Sequence, residues 1–136
     1  MNKDFNKLYK KYEKEIPNLK KINAFNGKRL NSLQLEAQSY IKKLLNWRKR
    51  STAVTKGKIT HYPPIDGIYV YFREYDQELV MVIMNNNKSS KMIDLKRFEE
   101  VLSNKDNAIN IFNNRTYKVS KPMRVPGKTT MILNNE

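Results

Sequence analysis

Cysteine is absent from the 136-residue sequence. That excludes a disulfide framework and any thiolate nucleophile or ligand. Histidine occurs once, as His61, so a Ser–His–Asp type of device would have to be built around it. His61 lies two residues before Pro63-Pro64, and no serine or aspartate pattern points to it. One histidine and no cysteine also argue against a transition-metal site. The four glycines form neither G-x-G-x-x-G nor G-x-x-x-x-G-K-[ST], so no phosphate-cradling loop is visible. The expectation is a protein that uses no cofactor and no metal. No apolar run approaches the ~18 residues that span a bilayer. The start, MNKDFNKLYKKYEKE, is polar and lacks the apolar core of a signal peptide. The chain is therefore expected not to insert into a membrane, and to be cytoplasmic if expressed as it stands.

What is abundant is positive charge, formally +14. It is uneven. Residues 1–60 hold 16 Lys and Arg against 4 Asp and Glu, whereas residues 61–136 hold 11 against 9. A basic half can be a nucleic-acid footprint. The chain is also rich in Lys and Asn, as proteins from AT-rich genomes are, and compositional bias is the preferred reading.

Two periodicities divide the sequence. Residues 3–16 place Phe5, Leu8, Tyr9, Tyr12 and Ile16 on one side of a helix, which Pro17 ends. Residues 18–31 read as irregular, with a turn at Asn26-Gly27. A long helix is expected from Ser32, taken as its N-cap. Leu33, Ala37, Tyr40, Ile41, Leu44, Leu45 and Trp47 form a broad apolar stripe along it. Trp47 is expected to pack, and Arg48 to face solvent or a partner.

From Gly57 the period becomes 2. GKITHY reads as a strand ended by the proline pair. In GIYVYFRE, Ile68, Val70 and Phe72 fall on one face and Tyr69 and Tyr71 on the other. ELVMVIMN is apolar on both faces, as a central strand is. KMIDL, AINIF, TYKV, MRV and TTMILN follow as strands, and LKRFEEVL as a helical turn. The fold class expected is mainly β: an antiparallel β-sandwich of about eight strands, preceded by one long α-helix and a shorter N-terminal helix.

Chemistry is harder to find. Asp66, Glu74, Asp76, Glu78, Asp94, Glu99 and Glu100 could supply the two carboxylates of a glycosidase, but most fall in turns and none pairs with another. Tyr69, Tyr71 and Tyr75 could stack on a sugar or a base. Ordinary cross-strand packing is the simpler reading.

An ordered series of segments resembles the C-terminal end of neopullulanases and cyclomaltodextrinases of the α-amylase glycoside hydrolase family. The series is INAFNG (22–27), LLNWRKR (44–50), GKITHYPPIDGIYVYFRE (57–74), VMVIMNNN (80–87) and NNRTYKVSKPMRVPGKTTMIL (113–133). It covers about positions 22–134. The resemblance implies a last barrel helix followed by a C-terminal β-sandwich. It also implies residues 1–50 as a helical remnant of a barrel end and 51–136 as the sandwich. The family's catalytic carboxylates sit at the ends of barrel strands, none of which has a counterpart here, and a (β/α)₈ barrel needs ~200 residues or more. The glycine- and aromatic-rich loop that the family carries ahead of N-A-F is replaced by the lysine-rich segment. The family occurs in the periplasm as well as the cytoplasm.

The reading that follows is an accessory C-terminal domain, catalytically silent alone, that supports a catalytic barrel in maltodextrin breakdown. The barrel, in this chain's own polypeptide or another, is the partner implied, and α-glucan the ligand. Leu44, Leu45, Trp47 and Arg48 are the expected interface. The alternatives are a carbohydrate-binding module that stacks sugar on Tyr69, Tyr71 and Tyr75, and a basic nucleic-acid binder.

Overall fold

The computed structural model describes residues 30–135. The helix expected over 3–16 and the N-A-F segment lie outside the described residues. The chain divides into two units, 1–43 and 44–136. Helix α1 runs Ser32–Arg50. Its cap is Asn31 rather than Ser32. The Asn31 Oδ1 accepts from the Gln34 amide at 2.9 Å, and the Gln34 Oε1 accepts from the Asn31 amide at 3.0 Å. This reciprocal capping box satisfies two otherwise orphaned N–H groups. Within the first unit Leu33, Leu35, Tyr40 and Ile41 are exposed. A second helix, α2 (Thr52–Lys56), follows with Ser51 as its N-cap.

Eight strands follow, the number expected. They are β1 (Lys58–Ile65), β2 (Ile68–Tyr75), β3 (Glu78–Asn85), β4 (Lys91–Ile93), β5 (Asn107–Asn110), β6 (Thr116–Lys118), β7 (Met123–Val125) and β8 (Thr129–Asn135). Between β4 and β5 the expected helical turn appears as a 3₁₀ turn, Leu95–Phe98, and a short α3, Glu99–Leu102. Six strands form an antiparallel sheet in the order β1-β2-β3-β8-β5-β6, and β4 and β7 form a two-stranded sheet. The proline pair does not end β1. The strand continues to Ile65 with an irregular register after Tyr62. As an edge strand it can hold Pro63 and Pro64 without losing ladder bonds.

Strand alternation sorts the core into two layers. On the first face of the large sheet, Ile68, Val70, Phe72, Leu79, Met81, Ile83, Met131 and Leu133 pack against Ile93, Val125, Met123 and the helical turn residues Leu95, Phe98 and Leu102. On the second face, Val80, Val82 and Ile132 pack with Ala53 of α2, joined by Leu44 and Trp47 of α1. Leu79 to Ile83 are therefore five consecutive buried residues. Each such side chain contributes up to about 1.5–3 kcal/mol.

The small sheet is tied to the large one by amides. Asn85, 2% exposed, ends β3 on the first face. Its Nδ2 donates to the carbonyls of Ser89, Val125 and Pro126 at 3.0–3.1 Å. Its Oδ1 accepts from the Asn87 amide and side chain, both at 2.9 Å. Asn87 in turn donates to the Asp66 carbonyl at 2.7 Å. Asp66 and Gly67 have φ of 49° and 73°, the left-handed pair of a two-residue type I′ hairpin loop. A Cβ on Gly67 would lie 2.7 Å from the Asn87 side chain, so that turn and that side chain require each other. Asn85→Ala and Asn85→Asp both remove the three donated bonds. Each is expected to lower unfolding free energy by about 1–3 kcal/mol in urea titration, since the buried Val125 carbonyl and the part-buried carbonyls of Ser89 and Pro126 lose their donor. An aspartate variant as stable as wild type would show that the donated bonds are dispensable.

Candidate docking face

The second face of the large sheet is covered at one end and open at the other. At the covered end β3 begins with Glu78, whose side chain meets the start of α2. Glu78 Oε1 accepts from Ser51 Oγ at 2.6 Å. Oε2 accepts from Thr52 Oγ1 at 2.5 Å and from the Ala53 amide at 2.9 Å. Ser51 Oγ itself accepts from the Val54 amide at 3.2 Å. Arg73, one strand away, donates from Nε to the Ala53 carbonyl at 3.2 Å and from Nη2 to the Val54 carbonyl at 3.0 Å. The carboxylate holds the N-terminal donors of α2 and the guanidinium its carbonyls.

Burial raises the Glu78 pKa, but the bonds from Ser51, Thr52 and Ala53 outweigh it. The net result is a carboxyl below the usual glutamate value. Neither Glu78 nor Arg73 stands out in the sequence, because their partners lie 19 to 27 positions away. Other carboxylates considered for catalysis have structural partners as well. Asp94 accepts from the Lys96 amide at the start of the 3₁₀ turn. Glu100 accepts from the Tyr62 hydroxyl. Burial first, and then Glu100, push that hydroxyl up to about 12, while Arg97 pulls the other way.

The candidate interface residues separate. Leu44 and Trp47 are half-buried on their own sheet. Leu45 points elsewhere and is 48% exposed. Arg48 is exposed and forms no ion pair among the described residues. The candidate tyrosines also separate. Tyr69 and Tyr71 are half-buried neighbours with ring centroids 5.8 Å apart and planes inclined by 37°. Tyr75 is exposed at the hairpin end. It lies roughly 13 Å of strand beyond Tyr71, with the anchored Arg73 between them. The geometry brings two of the three rings together and leaves the third apart.

The open end carries apolar surface. Tyr69 pairs across the strands with Met84, and Met84 with Thr130. Met84 is exposed, whereas Ile59 of β1, 52% exposed, stands opposite Arg73 at the covered end. His61 pairs with Tyr71 and is exposed. Among the described residues no cluster of histidine and carboxylates could hold a metal, and no helix is long and apolar enough to cross a membrane.

A family model described as the cyclo-malto-dextrinase C-terminal domain matches residues 59–134. Solved structures share the fold. AmyP, solved in complex with maltose, has a TM-score of 0.69 at 13% identity over 79% of this chain and 22% of its own. The α-amylase of Geobacillus thermoleovorans, complexed with acarbose, has a TM-score of 0.64 at 16% identity over 79% and 24%. The maltogenic amylase from S. marinus has a TM-score of 0.55 at 19% identity over 74% and 12%. The chain thus spans a quarter or less of the length of these enzymes.

The depressed Glu78 pKa gives a pH dependence. A carboxyl lowered on folding contributes stability in full above its unfolded pKa of about 4.3. That contribution is lost as pH falls below it, through the folded value. Glu78→Gln is expected to lower stability at pH 7 by about 1–3 kcal/mol. It should also flatten the fall in Tm as pH drops below about 4.3. Calorimetric scans over pH 3–7 that give wild type and variant parallel curves would show that Glu78 is not the titrating anchor.

Proposed function

Because the chain belongs to the family of cyclomaltodextrinase C-terminal domains, we propose that it is an accessory domain that stabilises a neighbouring catalytic barrel in α-glucan breakdown. The observation that carries this reading is the exposed Leu45 beside the half-buried Leu44 and Trp47. One side of the α1 end is spent on its own sheet, and an apolar residue remains for another surface. Isolated apolar residues are common on surfaces. Here Ile59 and Met84, at opposite ends of the second face, are further exposed apolar residues on that side of the sheet.

The charge around it defines the partner. No acidic residue occurs between Glu36 and Asp66. Within that interval Arg48, Lys49, Arg50 and Lys56 are exposed and form no ion pair among the described residues. A protein surface with an apolar centre and an acidic rim complements this arrangement, and such complementarity speeds and orients association. Leu45 and Arg48 would contact the barrel directly, and Leu44 and Trp47 would hold the helix that presents them. Chemistry would belong to the barrel.

The test mixes the chain with a cyclomaltodextrinase truncated after its barrel. The expected result is saturable binding by calorimetry and a gain in barrel Tm, with no release of reducing sugar by the chain alone. Leu45→Glu and Arg48→Glu should each weaken binding by roughly tenfold or more, about 1.4 kcal/mol. Both positions are exposed, so the chain's own stability should move by no more than about 0.5 kcal/mol. No binding at low salt, or hydrolysis of maltodextrin by the chain alone, would overturn the proposal.

A further inference from the structure

On the first-face side of the large sheet, a cavity of about 260 Å³ lies against β4. Residues 91 to 94 line it in succession and no residue of β7 does, so it follows the edge of β4 that no strand pairs. Its floor is apolar: Ile68, Val70, Ile93 and Phe98 are all buried. Ile65 and Met92 carry that apolar lining out to solvent, at 51% and 60% exposed.

Four charged side chains border this floor: Asp66, Lys91, Asp94 and Arg97. Two are acceptors and two are donors, and none forms an ion pair among the described residues. Two of them are held in place. The Asp94 carboxylate accepts from the Lys96 amide at 3.0 Å. Arg97 Nη2 donates to the Pro63 carbonyl at 2.9 Å, and its guanidinium carbon lies 5.8 Å from the Tyr62 ring centre and 5.6 Å from that of Phe98. Groups fixed before binding lose little freedom on binding.

An apolar floor bordered by both acceptors and donors, with no net charge among them, complements a neutral ring that has C–H faces and hydroxyls at its rim. Hydroxyls satisfy carboxylates as donors and cations as acceptors at once. The volume falls just below the roughly 300–1,000 Å³ of sites for drug-sized ligands, which suits one ring. We propose that this cavity binds a single pyranose unit at the end of an α-glucan. The choice of α-glucan rests on the proposed function, whereas the location and the ligand class rest on the cavity. The site is on the opposite side of the sheet from the docking face, so sugar and barrel would not compete.

The experiment is a titration of the full chain, methyl-labelled at Ile, Val and Met, with maltose, followed by NMR. Saturable shifts are expected at Ile65, Ile68, Val70, Met92 and Ile93, in the millimolar range. Arg97→Ala should weaken binding at least tenfold. Asp66→Asn, on an exposed turn, should weaken it severalfold without touching the Tyr62–Phe98 packing. Tyr69→Ala, on the other face, should leave binding unchanged. Absence of saturable shifts would overturn the proposal, as would shifts confined to the neighbourhood of Tyr69 and Tyr71. Shifts with leucine but not maltose would replace the neutral ring with a zwitterion and overturn the ligand class. Arg97→Ala should bind the barrel as the wild type does, so failure here and failure of docking are read separately.

Discussion

Strand β3 is buried on both faces, and a strand of that kind must be covered twice. Leu79, Met81 and Ile83 need one cover, and Val80 and Val82 need another. The first is the two-stranded sheet with its helical turns. The second is the end of α1 and the five-residue α2, with Ile111 and Phe112 after β5. The polar residues at the two ends of β3 fasten these covers. Glu78 points to the second face and takes hold of α2. Asn85 points to the first face and takes hold of the β7 end. Period-2 alternation alone decides which end serves which cover.

The two covers differ in extent. The first-face cover spans the strands of the large sheet from Ile68 to Leu133. The second-face cover is short, and it stops before the row that contains Tyr69, Met84 and Thr130. A sheet face left open on one side is tolerable where it is polar. Here it carries Met84 and the half-buried Tyr69, whose burial against a neighbour would be favourable. The carboxylates best placed in the structure, Glu78, Asp94 and Glu100, are occupied in holding backbone or hydroxyl groups.

Much of the fold is legible in the sequence because it rests on local pattern. The two faces of β2 follow from Ile68, Val70 and Phe72 alternating with Tyr69 and Tyr71. The double burial of β3 follows from its unbroken apolar run. What is illegible rests on distant partners. Nothing near Glu78 announces Ser51, and nothing near Asn85 announces Val125, 40 positions on. Asparagine abundance reads as composition, yet Asn85, Asn87 and Asn135 each hold backbone at strand ends. Helix α2 is missed because TAVTK is short and contains β-branched residues, which favour strands in isolation. Its helical state depends on Ser51 and Glu78. Leu44 and Leu45 are chemically identical neighbours with opposite fates, because the helical period ranks apolar sides but cannot say which one its own sheet will occupy.

Apolar burial supplies most of the energy of such a sandwich, but it is non-directional and would tolerate small shifts of either cover. Hydrogen bonds from fixed strand ends are directional, so Glu78 and Asn85 set position more than they add stability. The distinction matters most on the second face. The α1 end must lie where Leu44 and Trp47 reach Val80 and Ile132, because only then does Leu45 stand outward with Arg48 one turn further along the same side. A slide of α2 by one residue would rotate that side by about 100° and present a different residue. The orientation of the proposed docking surface thus depends on a carboxylate at the start of the central strand, some distance from the residues that would meet a partner.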